Sequence, residues 1–137
     1  MQTDQRLTIF VPLKDRVKYT LRFLEYMAHV KCPYKIILAD GGKDKKIQDL
    51  LESKEHFQNL DYDYLRYPYD ENVDLFYEKM HSGLSKIDTP YTMIMDNDDF
   101  VHMDGLNECL KTLEEGGWSS SRGRIDDMLG KNIYTLY

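Results

Sequence analysis

The stretch Tyr91-Thr92-Met93-Ile94-Met95-Asp96-Asn97-Asp98-Asp99 passes directly from an apolar run into three carboxylates. Residues 91–95 read as a strand, and the acidic run stands at its carboxyl end. Three carboxylates within four positions repel one another, and water or a cation must relieve that repulsion. Hard oxygen ligands at a strand end suit Mg²⁺ or Mn²⁺, which takes a few protein carboxylates and completes its shell with water and phosphate oxygens. A solvated acidic loop without a ligand is the other reading. Direct attachment to the apolar Met93-Ile94-Met95 favours the cation site.

Working outward, the same punctuation recurs. Leu7-Thr8-Ile9-Phe10-Val11-Pro12 is a short apolar run that reads as a buried strand stopping at Pro12, which cannot donate to a ladder. Val17, Leu21, Leu24 and Ala28 follow at helical spacing, giving an apolar face on a helix that must end before Pro33. Tyr34–Ala39 is a second buried strand, broken by Asp40-Gly41-Gly42. Ile47, Leu50, Leu51 and Phe57 mark a more polar helix, and 61–67 a less buried third strand before Pro68. From Asn72 the clearest helix carries Val73, Phe76, Tyr77, Met80, Leu84 and Ile87 on one face and ends at Thr89-Pro90. A last helix, from about Asp104, turns Leu106, Cys109, Leu110 and Leu113 inward and stops at Gly116-Gly117. Ser119-Ser120-Ser121 reads as a loop or weak linker.

Strand and helix thus alternate, and the expected fold class is α/β, a mostly parallel sheet with helices on both faces. Ligands of such sheets bind beyond the carboxyl ends of the strands. Lys14-Asp15-Arg16, Asp40-Gly41-Gly42 and Asp96-Asn97-Asp98-Asp99 all stand there, so they should converge. The two glycines serve equally well as a tight turn or as a place where backbone approaches a nucleotide while Asp40 accepts its hydrogen bonds. Asp15 and Arg16 read as a loop ion pair, or Arg16 as a diphosphate contact.

The chain of 137 residues fits one domain with one site. Its composition, 42% hydrophobic and 31% charged, excludes a disordered chain. A net charge of -6 argues against nucleic acid as a partner, although a cation in an acidic pocket can still recruit a nucleotide phosphate. Cys32 and Cys109 have no metal or redox spacing and read as reduced thiols. With no signal-like or membrane-spanning run, a cytoplasmic chain, free or peripheral to a membrane, is expected. His29, His56, His81 and His102 show no paired ligand spacing, and no Ser/His or Cys/His arrangement suits a covalent nucleophile. His102, close after the acidic run, is the histidine to test.

Taken together and in order, these segments resemble the N-terminal half of the family 2 inverting glycosyltransferases. Residues 7–16 resemble that family's opening strand, which runs through aliphatics to Pro and then Arg. Ile36-Ile37-Leu38-Ala39-Asp40-Gly41-Gly42 resembles its second strand, and Met93-Ile94-Met95-Asp96-Asn97-Asp98-Asp99 its DXD signature. The resemblance covers about the first 115 residues. It implies a GT-A-like (Rossmann-like) sheet, truncated, with 1–117 as the nucleotide-sugar-binding domain and 118–137 as a tail or the start of the acceptor-side region.

The same resemblance implies transfer of a sugar from a nucleotide-sugar donor, a UDP-sugar first, to a saccharide or other hydroxyl acceptor, with inversion and with Mn²⁺ or Mg²⁺. Asp98 and Asp99 would hold the metal, Asp99 assisting either role. Pro12, Arg16, Asp40 and Asp96 would bind the nucleotide sugar. Ala39 departs from the pattern, standing where the family has a base-contacting Asp, with Asp40 a partial substitute. The family carries its general base in the C-terminal half, so the base is expected outside this chain; Glu108, Glu114, Glu115, Asp126 and Asp127 are candidates by composition alone. Two other functions use the same features: a non-catalytic nucleotide-sugar-binding or assembly domain, and a Mg²⁺-dependent phosphoryl-transfer enzyme. The latter lacks a suitably placed Lys and Ser/Thr pair.

Overall fold

The computed structural model describes residues 2–116 in full and the backbone of two further strands, Gly123–Asp126 and Asn132–Leu136. Gly117, Ser119–Ser121 and Asp127, named above, lie outside the described residues, as does most of 118–137. The chain forms two compact units, Met1–Phe100 and Val101–Tyr137.

In the first unit four parallel strands form one sheet: β1 (Asp4–Leu13), β2 (Tyr34–Asp40), β3 (Tyr62–Arg66) and β4 (Tyr91–Ile94), in the order β3-β2-β1-β4. β1 aligns Val11 with Leu38 on one side and Phe10 with Ile94 on the other. The chain therefore steps outward from β1 to β3 and returns across β1 to β4. This reversal makes a crevice between the carboxyl ends of β1 and β4, the place where such sheets bind ligands.

Helices α1 (Val17–His29) and α2 (Lys46–Glu52) join adjacent parallel strands stepping in one direction, whereas α3 (Val73–Leu84) belongs to the return crossover. Right-handed crossovers then put α1 and α2 on one face and α3 on the other. Ile9, Val11, Ile36 and Leu38 on the first face are completely buried. On the second, Phe10, Ile37 and Ala39 pack under Leu65, Tyr67, Met80, Leu84 and Ile87.

Several expectations change, and Phe57 lies outside α2, which ends at Glu52. The buried stripe of α1 is Thr20, Phe23, Leu24 and Met27; of the expected set only Leu24 is buried, while Val17, Leu21 and Ala28 are half-buried. Both sets obey the helical period, and the bulkier Phe23 and Met27 take the core. On α3 only the C-terminal half packs. Val73 and Tyr77 are 63% and 64% exposed and Phe76 also faces solvent, because the first turns overhang the end of the sheet, where Lys79 takes the buried position. Finally, β1 continues through Pro12 to Leu13. Leu13 O accepts from Gly41 N on the β2 side, so Pro12 faces β4, whose ladder has already ended opposite Phe10, and its missing N–H costs no bond.

The second unit contains helix α4 (Met103–Glu114) and an antiparallel pair, β5 (Gly123–Asp126) and β6 (Asn132–Leu136). Leu110 is buried and Leu106, Cys109 and Leu113 are half-buried, as the periodicity requires. His102 caps α4, its Nδ1 accepting from Gly105 N at 3.4 Å. That structural duty accounts for the histidine next to the acidic run.

Candidate active site

The acidic run leaves β4 through buried Met95, whose N–H bonds Phe10 O at 3.1 Å and ties the exit to β1. It then turns, Asp99 N donating to Asp96 O. Asn97 points inward, 6% exposed, and donates to the Thr20 hydroxyl of α1 at 2.8 Å. Phe100 lies edge-on to Tyr26 at 4.9 Å and under the Arg22 guanidinium at 5.2 Å, also on α1. With Asn97 inward, Asp96, Asp98 and Asp99 are left exposed, each offering an oxygen within 4.8 Å of the others. Three hard, solvent-facing oxygens at that spacing fit a divalent cation of the Mg²⁺ or Mn²⁺ type. Desolvation, and then the charges of Asp98 and Asp96, hold the Asp99 carboxyl above the usual range.

Across the crevice, the end of β1 turns through Asp15 and Arg16, both in left-handed backbone at φ 58°. Such backbone is unfavourable for non-glycine residues and persists only where surroundings fix it. Here Asp15 Oδ1 accepts from Lys43 N at 2.7 Å and Asp44 N at 2.8 Å. Asp15 therefore clamps the loop after β2 and does not pair with Arg16. A Cβ at Gly42 would lie 2.4 Å from Asp15 N, so only glycine permits this approach. Arg16 is free to reach the acidic run, its Nη1 lying 3.2 Å from Asp98 Oδ2.

Asp40 is placed differently. It is buried, and its carboxylate accepts from Gly42 N at 2.8 Å, Arg66 Nη1 at 3.1 Å and the Tyr64 hydroxyl. Burial, and then the bond to Asp40, push the Tyr64 phenol up. Asp40 thereby fixes the Gly41-Gly42 turn against β3.

An open cavity of about 430 Å³ lies beside the crevice, lined among others by Pro12, Lys14, Asp70, Phe76, Lys79 and Asp96. The structure thus brings Pro12 and Asp96 to one cavity, and Arg16, Asp98 and Asp99 to the adjoining acidic cluster. Sequence reasoning missed Asp70 and Lys79, a buried ion pair at the cavity wall. The available signal was a lone lysine set between Phe76 and Met80 in the apolar stripe of α3.

Among solved structures, TarS of S. aureus matches with a TM-score of 0.63 and 16% identity, over 80% of this chain and 20% of that one. A structure of TarS 1–349 matches equally well, and here the chain covers 32% of it. TarS 1–349 in complex with UDP-GlcNAc matches at 0.59 with 18% identity, over 80% and 31%. The chain thus spans a third or less of the solved chains that it resembles, and the likeness establishes the GT-A type of fold. A comparison with curated proteins finds no significant match. The family model described as Glycosyl transferase family 2 matches residues 8–132, nearly the whole length, and the chain belongs to that family.

Proposed function

We propose that this chain is the donor-binding portion of a metal-dependent, inverting glycosyltransferase that uses a nucleotide sugar, a UDP-sugar first, and a saccharide or other hydroxyl acceptor. The observation that carries the reading is the meeting of two strand ends at the reversal of the sheet. Arg16 from β1 stands 3.2 Å from Asp98 beyond β4, and three carboxylates share one small volume. A nucleoside diphosphate needs that combination of a cation site, a guanidinium and a cavity for the nucleoside. Family membership and the UDP-GlcNAc complex of the structurally similar TarS support the choice of donor.

In this reading Asp98 and Asp99 hold Mn²⁺ or Mg²⁺, and Asp96 reaches from the cluster into the cavity toward the ribose or sugar. A bound cation would stabilise the negative charge that develops on the departing diphosphate. Arg16 adds a second positive charge that orients the diphosphate, and Pro12 shapes the wall against the nucleoside. Asp40 acts through the Gly41-Gly42 turn, which it holds in place. Residues 118–137 would open the acceptor-side region, and the general base belongs to that side.

Calorimetric titration of nucleoside diphosphates, with and without Mn²⁺, tests the reading. Wild type should bind only with the metal, and Asp98→Ala should lose at least tenfold in affinity, or about 1.4 kcal/mol. Equal binding by the two proteins would reject the metal site.

A further inference from the structure

Asp70 follows β3 in the loop that leads into α3, and its side chain is 2% exposed. Its Oδ2 accepts from the Lys79 ammonium, which is equally buried and also donates to Leu13 O at 2.9 Å. Asp70 N donates to Gly41 O at 3.0 Å. One ion pair therefore joins α3 to the carboxyl ends of β1 and β2 and to the loop after β3. A buried pair of this kind normally satisfies all its lone pairs, since each oxygen left without a donor keeps its desolvation penalty. Asp70 does not. Its Oδ1 is buried with no hydrogen-bond partner among the described residues. The Lys14 ammonium is 3.7 Å from Oδ1 and donates instead to the Asp70 backbone carbonyl at 2.8 Å.

Lys14 is 44% exposed and hangs over the cavity that Asp70, Pro12 and Asp96 line. Lys14 is an exposed, long side chain on this wall, whereas Asp70 and Lys79 are both buried, so it is the lysine that moves at the lower cost. We infer that Asp70 is a specificity-determining residue whose free oxygen accepts an N–H or O–H from the nucleoside part of the donor, with Lys14 as the cover that swings aside. The inference rests on the donor-binding reading above. The acceptor is anionic and fixed on a rigid ion pair, so it selects for a ligand donor and against an acceptor in that place. Two groups of a uridine nucleotide qualify, the base N3–H and the ribose 2′-hydroxyl.

The test compares UDP, N3-methyl-UDP and 2′-deoxy-UDP, each with Mn²⁺, by calorimetry on the full chain, with Mn²⁺-pyrophosphate as reference. At least one modified nucleotide should bind wild type tenfold or more weakly than UDP, and which one identifies the group read. In Asp70→Leu combined with Lys79→Met, which removes both buried charges together, UDP should fall to the level of that weaker analogue while pyrophosphate binding stays. If wild type binds all three nucleotides equally, or the pyrophosphate-competent double variant still prefers UDP, the inference is overturned and the donor-binding reading stands. Should wild type bind neither pyrophosphate nor any nucleotide, both fall.

Discussion

Asn97 is the uncharged member of the acidic run, and it has the least exposed side chain there. Its amide bonds a hydroxyl on α1 that is itself wholly buried, across 77 positions of sequence. The three neighbouring carboxylates are aimed outward as a consequence, since an inward Asn97 fixes the turn around it. Asn97→Ala strands the Thr20 hydroxyl without its donor, at a cost of about 1–3 kcal/mol. The run should loosen, and Mn²⁺ affinity should drop several-fold, with melting temperature followed on the same samples. Unchanged Mn²⁺ affinity in a destabilised protein would show that the Phe100 contacts alone hold the carboxylates. The acidic run was legible because its residues are adjacent. Its anchor was not, because no local pattern links Asn97 to Thr20.

At the scale of elements, α3 shows how far periodicity carries. Its apolar positions do recur at helical spacing, yet the half that is covered depends on where β1 and β2 end beneath it. Over the sheet, Gly83 rests on Phe10, and a Cβ there would come within 2.6 Å of the ring. Gly83→Ala should therefore destabilise the protein by about 1–3 kcal/mol despite alanine's higher helix propensity, a loss that a urea midpoint would report. A midpoint that rises would show that propensity outweighs the contact. Beyond the end of the sheet the same helix presents Lys79 to Asp70. A charged pair buried beside the apolar positions of a helix is the expected mark of a site, where local rules yield to ligand chemistry.

For the molecule as a whole, the loops after β1 and β2 are held as one unit by Asp15. The backbone N–H of Asp44, then that of Lys43 and the charges of Lys14 and Lys43, outweigh desolvation and keep the Asp15 carboxyl below its usual value. A depressed carboxyl contributes stability that is full above the unfolded value near about 3.9 and is lost as pH falls through the lower folded value. Asp15→Asn should thus lower the thermal midpoint at neutral pH and flatten its decline below about pH 4. Acid limbs of equal slope in the two proteins would contradict this role. By itself the sequence determined the alternation of strands and helices, the family, and the candidate residues at the strand ends, because hydrophobic period, Pro and Gly punctuation and contiguous charge are local properties of the chain. Only the tertiary structure decided the order β3-β2-β1-β4, the burial of Asp40 in a turn, and the placing of Asp70 and Lys79 at the cavity, because each follows from packing between residues far apart along the chain.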